Sequence, residues 1–172
     1  MYRPYRLSFQ IQKSMSKMCD FVEMKTISKI ADGVLSKLTE EYSKDKKITP
    51  DVLMELRPVF GEIIFETFKL LERKGGITEI QSNTSKRTMF KVRGHGQNFD
   101  VNYIILPSSW RCSCKNWIYK TWMLNEFVAC KHVLATKLCL AIMNASESRE
   151  CPYIFREIVS ENTYMKILAG MK

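Results

Sequence analysis

From Asp20 onward the apolar positions recur at helical spacing. Met24, Ile27, Ile30, Ala31, Val34, Leu35, Leu38 and Tyr42 fall on one stripe at about 100° per residue, which predicts a helix with one buried face. The polar run Lys44-Asp45-Lys46-Lys47 marks the loop after it. Thr49-Pro50-Asp51 then reads as a helix start. The threonine caps, the proline needs no N–H in the first turn, and the carboxylate faces the positive helix end. Pro58 removes a backbone donor and predicts a kink or split. The helix should resume through Val59 to about Arg73 and stop at Gly75-Gly76.

Beyond those glycines the period changes to two. Ile77–Gln81 and Thr88–Arg93 read as strands around an Asn83-Thr84-Ser85-Lys86 turn. Phe99, Val101, Tyr103 and Ile105 alternate along a third strand, and Pro107-Ser108-Ser109 turns the chain into a short fourth, Trp110–Cys112. Trp117–Leu124 looks like a short apolar helix and Lys131–Met143 like a longer one. One or two further short helices are expected after Pro152. The resulting class is α+β. It divides into a basic arm (1–19), a helical region (20–76), an antiparallel sheet with a cysteine-bearing module (77–144) and a helical tail (145–172).

Charge refines this picture. Lys and Arg number 27 against 18 Asp and Glu, a net charge of +9. The excess sits at the N-terminus, where residues 1–18 carry Arg3, Arg6, Lys13 and Lys17 and no acid, and in the cysteine-bearing half. Such a balance suits nucleic acid or an acidic partner, or serves solubility alone. The arm reads as a flexible extension more readily than as a transit peptide, because it lacks closely spaced arginines on an amphipathic helix. No apolar run approaches the ~18 residues of a membrane span, so no membrane partner is expected. Six cysteines with no signal peptide point to a reducing compartment and metal-binding thiols rather than disulfides.

The candidate chemistry lies in Cys112-Ser113-Cys114 and, fifteen residues later, Cys130-Lys131-His132. In an extended segment residues two apart point to one side, so the Cys112 and Cys114 sulfurs can meet at one point. In a helix residues two apart lie about 200° apart. Cys130 is therefore expected just before a helix and His132 in its first turn, where the helix end would favour the Cys130 thiolate. Three sulfurs and one nitrogen form a closed set for one tetrahedral structural zinc. The competing readings are a buried thiol with a core histidine, or a strained Cys112/Cys114 redox dithiol. Cys19, Cys139 and Cys151 lack partner spacing, and Cys139 is expected to pack. His95 sits in a Gly94-His95-Gly96 turn. The sequence has no GxxxxGK[ST], GxSxG or HExxH, so no enzyme is expected.

The CxC…CxH pattern, preceded by strands and running into an apolar helix, resembles the SWIM zinc finger. Val59-Phe60-Gly61, the strands from Ile77, Cys112-Ser113-Cys114 and Cys130-Lys131-His132-Val133-Leu134-Ala135 together resemble one family within it. This is the small SWIM-domain subunit of the Shu complex (the zinc-finger SWIM-domain-containing protein 7 family), over roughly residues 22–144. The resemblance implies a non-enzymatic nuclear subunit that pairs with a RecA-like recombinase paralogue. It further implies promotion of recombinase filament assembly on single-stranded DNA in homologous recombination and DNA repair. It carries over Cys112, Cys114, Cys130 and His132 as zinc ligands. The arm and tail depart from the family pattern.

Two surfaces follow from periodicity. Val59–Leu71 and Lys131–Met143 are apolar nearly all round, more than one buried face requires. Phe60, Ile64, Phe65 and Phe68 are thus expected to seat a partner, or else to be enclosed as core. Arg87, Lys91 and Arg93 share one strand face opposite Phe90 and Val92 and could track phosphates, unless they are an ordinary solvated face. The runner-up function is a direct DNA-binding SWIM module, as in a transposase or chromatin protein.

Overall fold

The structure, a computed structural model, describes residues 29–73, 75–94, 101–123 and 129–170. The basic arm, Met24, Ile27, His95 and Phe99 lie outside the described residues. Helix α1 (residues 29–45) buries Ala31, Leu35 and Leu38 of the stripe expected from its period, with Val34 and Tyr42 partly buried, but exposes Ile30. Helix α2 (Pro50–Phe60) starts where the cap predicted, with the Val52 N–H donating to the Thr49 hydroxyl at 3.4 Å. Pro58 stays within α2. The break falls at Gly61, whose φ of +59° suits a residue without Cβ and whose N–H closes the helix on the Arg57 carbonyl at 2.7 Å. Helix α3 (Ile63–Leu71) follows that break, so Val59–Leu71 is not one continuous wheel.

Five strands form one sheet in the order β4-β3-β2-β1-β5. They are β1 (Ile77–Ser82), β2 (Thr88–Arg93), β3 (Asn102–Leu106), β4 (Arg111–Cys112) and β5 (Ile154–Val159). Neighbours among β1 to β4 run antiparallel, whereas β5 lies parallel to β1 and makes the sheet mixed. A parallel return needs a long crossover, and the cysteine module with helix α4 (Lys131–Ala145) supplies it. The tail was expected to be helical throughout. It contributes β5 first and only then helix α5 (Glu161–Ala169). The pairs Ile154-Phe155 and Ile158-Val159 around Arg156-Glu157 hide the strand period. An edge strand tolerates this pattern, and it leaves Phe155 and Ile158 exposed.

Register sorts the two faces. Ile77, Phe90, Val92, Ile105 and Cys112 face the main core with α2, α3 and α4. Ile80, Met89 and Ile104 face the other way and meet Tyr164 of α5. Helix α4 is buried nearly all round, from His132 through Leu138 and Cys139 to Met143. Its apolar circumference is therefore core, enclosed by α3 and the sheet, and not a docking surface. Lys137 fits this helix because its ammonium reaches Asp32 of α1 at 2.9 Å and lies 4.3 Å from the Trp110 ring. Among the described residues no helix is long and apolar enough to cross a membrane.

Helix α5 is fastened to the β1–β2 turn through Glu161. Its carboxylate accepts from the Ser82 hydroxyl, from the Ser85 N–H at 3.4 Å and from Arg87, which also lies 5.4 Å from the Tyr164 ring. These donors, Ser82 first, hold its pKa down to about 2 from an ordinary 4.5. A carboxyl with a depressed folded pKa contributes stability above its unfolded pKa and loses it as pH falls through the folded one. Glu161→Gln is therefore expected to weaken amide-exchange protection of α5 at pH 6. The deficit should shrink below pH 4.5 and vanish near pH 2. A deficit independent of pH would show that the charge is not what fastens the helix.

Candidate metal centre

The site is assembled at the end of the β3–β4 ladder. Ile105 pairs with Cys112 and Leu106 with Arg111. Beyond β4 the same register continues, because the Ser113 N–H donates to the Ile104 carbonyl and the Ile104 N–H donates to the Ser113 hydroxyl, each at 3.0 Å. Ser113 is thus turned to the α5 side, and Cys112 and Cys114 point together toward the core. Within this hairpin, a 3₁₀ turn (Pro107–Ser109) joins β3 to β4 and delivers Trp110 with φ +53°. Its carbonyl accepts from the Trp117 indole at 2.7 Å, and its ring stacks on Phe60 with centroids 6.3 Å apart. The expected fourth strand therefore loses Trp110, and the segment Trp117–Met123 is a π-helix.

From the other side comes α4. Cys130 is its N-cap with extended backbone and His132 its second residue. All four side chains are buried, and their ligand atoms lie within 4.8 Å of one another. His132 turns Nδ1 inward, 3.9 Å from the sulfurs of both Cys112 and Cys130. A tetrahedral zinc with Zn–S of ~2.3 Å and Zn–N of ~2.0–2.1 Å sets an S···N separation of about 3.6 Å. The two His–Cys pairs need only close by a few tenths of an ångström, and the whole donor set lies within about an ångström of the tetrahedral separations, so the residues fit zinc.

Backbone N–H groups support the sulfurs. The Cys114 N–H donates to Cys112 Sγ at 3.4 Å and the Trp117 N–H to Cys114 Sγ at 3.3 Å. Without metal, the three thiols share their protons unequally. Hydrogen bonds from Cys112, Cys130 and His132 draw Cys114 well below an ordinary thiol. Donation to Cys114, followed by the contact with Cys130 and burial, raises Cys112. Burial pushes Cys130 up to about 12, so desolvation outweighs the helix end that was expected to favour its thiolate. A divalent cation offsets the charge of thiolates that burial otherwise disfavours.

Two contributors escaped the sequence reading. The Tyr103 ring lies on the His132 imidazole with centroids 4.4 Å apart and planes at 27°, and Ser113 fixes the CxC turn. Alternation along β3 put Tyr103 on the same face as Ile105, but the pairing with β4 was not readable. Elsewhere, Cys139 and Cys151 are neighbours in the core. Hydrogen bonding between them raises the Cys139 thiol and lowers that of Cys151.

The other predicted site residues separate. Phe60 and Ile64 are buried in the main core and cannot seat a partner, because Gly61 turns both inward. Phe68 is partly buried against the same core, while Phe65 is 50% exposed. Arg87, Lys91 and Arg93 do share the face opposite Phe90 and Val92, but α5 and β5 bring acids to it. Arg87 pairs with Glu161, and Lys91 with Glu157 at 3.7 Å. Both pairs are solvent-exposed, and Arg93 is exposed at the strand end.

The chain is similar to zinc finger SWIM domain-containing protein 7 of Danio rerio, 28% identical over 113 residues, which is 66% of this chain and 77% of the relative. The Mus musculus protein of that name is 22% identical over 137 residues, 80% of this chain and 87% of the relative. The Homo sapiens protein is 26% identical over 109 residues, 63% of this chain and 74% of the relative. No family model matches the chain. No solved structure matches it either. The chain is thus similar over most of its length to proteins named zinc finger SWIM domain-containing protein 7 from several species.

Purified chain is expected to carry one zinc per molecule by elemental analysis. Cys114→Ser or His132→Ala should lose the metal and the cooperative folding of residues 110–140. Binding free energies of ~10–16 kcal/mol for small zinc peptides bound the stability at stake from above. Metal-free protein with the same unfolding transition would end the zinc assignment.

Proposed function

We propose that this chain is a non-enzymatic, zinc-stabilised subunit of a Shu-type complex. In this reading it pairs with a RecA-like recombinase paralogue and promotes recombinase filament assembly on single-stranded DNA in homologous recombination and DNA repair, in the nucleus. Similarity to the family supports the reading, because the CxC…CxH module and its flanks are the features that resemble the Shu subunit.

The observation that carries the non-enzymatic part is the fullness of the site. Three thiols and one imidazole already supply four donors, and all are buried. A catalytic zinc keeps a position open for water or substrate, and four inward donors leave none. Zinc in this role fixes shape.

The pairing part draws on the helical layer. Ile30 of α1, Leu53 and Met54 of α2 and Phe65 of α3 are exposed, although the same helices bury Leu38, Leu56 and Ile64. Phe65 sits under the Arg57 guanidinium at 5.9 Å, and Arg57 is in turn held by Glu62 at 3.0 Å. An exposed aromatic with a charged rim is the usual make-up of an interface anchor. A direct DNA-binding SWIM module is the second reading, and it needs a free basic face. The acids facing Arg87 and Lys91 weigh against it there.

The test is co-expression with candidate RecA-like paralogues. Phe65→Glu is expected to abolish co-purification while leaving zinc content and thermal stability unchanged. Phe60→Ala, at a buried ring, should cost about 3–5 kcal/mol of stability instead. Co-purification untouched by Phe65→Glu would remove α3 from the interface. A wild-type chain that recruits no paralogue would remove the pairing itself.

A further inference from the structure

We propose that Tyr103 is the positioning residue of the metal centre. Its ring holds the His132 imidazole in the orientation that aims Nδ1 at the ion and slows loss of the metal. This rests on the cluster being a zinc site, and the test below separates the two.

A metal ligand must be fixed in ring orientation as well as in place. The N-terminus of α4 fixes the His132 backbone, and the Thr136 hydroxyl donates to the His132 carbonyl at 2.9 Å. Neither contact reaches the ring. The ring contact comes from β3, where Tyr103 lies nearly parallel to the imidazole with centroids 4.4 Å apart. Tilting the plane of the imidazole would break that stack.

The ladder explains why Tyr103 is there. Ile105 stands opposite Cys112, and the paired bonds between Ile104 and Ser113 carry the register one residue further. The next step places Tyr103 across from Cys114, on the face that carries both cysteine sulfurs. One strand thus sets both halves of the site: Ile104 holds the CxC turn through Ser113, and Tyr103 holds the imidazole. The stack should also strengthen on loading. An imidazole bound to zinc takes up positive charge, and the face of an aromatic ring attracts it. The working part is the π face, so the phenol oxygen is dispensable.

The experiment uses the full chain as wild type, Tyr103→Phe, Tyr103→Leu and Tyr103→Ala. Zinc content is measured first, then the rate of zinc transfer to a chromogenic chelator in native buffer. The d–d bands of the cobalt(II)-substituted proteins follow. Phe should match the wild type in both rate and spectrum. Leu keeps apolar bulk without a π face, and it should release zinc about 10–100-fold faster, the range seen for changes outside the ligand shell. Its cobalt bands should shift. If Ala fails to fold, the Leu and Phe comparison decides. Equal release rates and spectra for Leu and wild type, with zinc bound in both, would overturn the positioning role. Wild-type protein without zinc would instead overturn the metal site on which it rests.

Discussion

Three thiols and an imidazole drawn from two distant segments must meet at one buried point, and most of the architecture is arranged around that requirement. Cys112 and Cys114 can converge only from an extended strand end, and Cys130 with His132 only from a helix boundary. The β3–β4 ladder therefore has to end where α4 begins. Once α4 starts at the cluster it runs through the centre of the molecule, which is why nearly every residue from His132 to Met143 is buried. The protons complete the constraint. In the metal-free cluster, hydrogen bonding among the thiols lowers Cys114 and raises Cys112, and burial raises Cys130. Zinc binding would displace the thiol protons, and its two positive charges would offset two of the three thiolates.

The surroundings of α4 follow from its central place. A helix buried nearly all round must dispose of its mid-helix lysine, and Lys137 does so by lying on Trp110 while reaching Asp32. Trp110 in turn carries Phe60 on its ring and receives the Trp117 indole on its carbonyl. The hairpin that bears the cysteines is thus keyed to α2 on one side and to the π-helix on the other. The parallel return to β5 is the remaining consequence. After α4 the chain emerges beside β1, and the β1 edge is open to it. Helix α5 then covers the far side of the sheet around Tyr164.

Much of this was legible in local spacing. The helical stripe of α1, the Thr49 cap, the turn before β2 and the placing of Cys130 and His132 at a helix start all follow from rules spanning a few residues. What stayed hidden depends on pairing across the chain. The pattern of β5, two apolar residues on either side of Arg156-Glu157, matches no strand period, and only the open edge of β1 makes it a strand. Tyr103 carries no signal of its own, because its importance comes from standing across from Cys114. Arg87 and Lys91 read as a free basic stripe until Glu161 and Glu157 arrive from the last thirty residues.

The division of the apolar surface turns on a single glycine. Read as one continuous helix, Val59–Leu71 has more apolar faces than a small domain can cover, which suggests a broad docking surface. Gly61, at φ +59°, ends α2 one residue after Phe60, and α3 starts beyond that break. Phe60 and Ile64, on opposite sides of the break, then both turn inward, the first onto Trp110 and the second into the core shared with α4. The excess resolves into a core that is filled and one aromatic, Phe65, that the core does not take. A side chain with a Cβ at position 61 would strain that turn. Burial of Phe60 and exposure of Phe65 are thus two results of the same backbone choice.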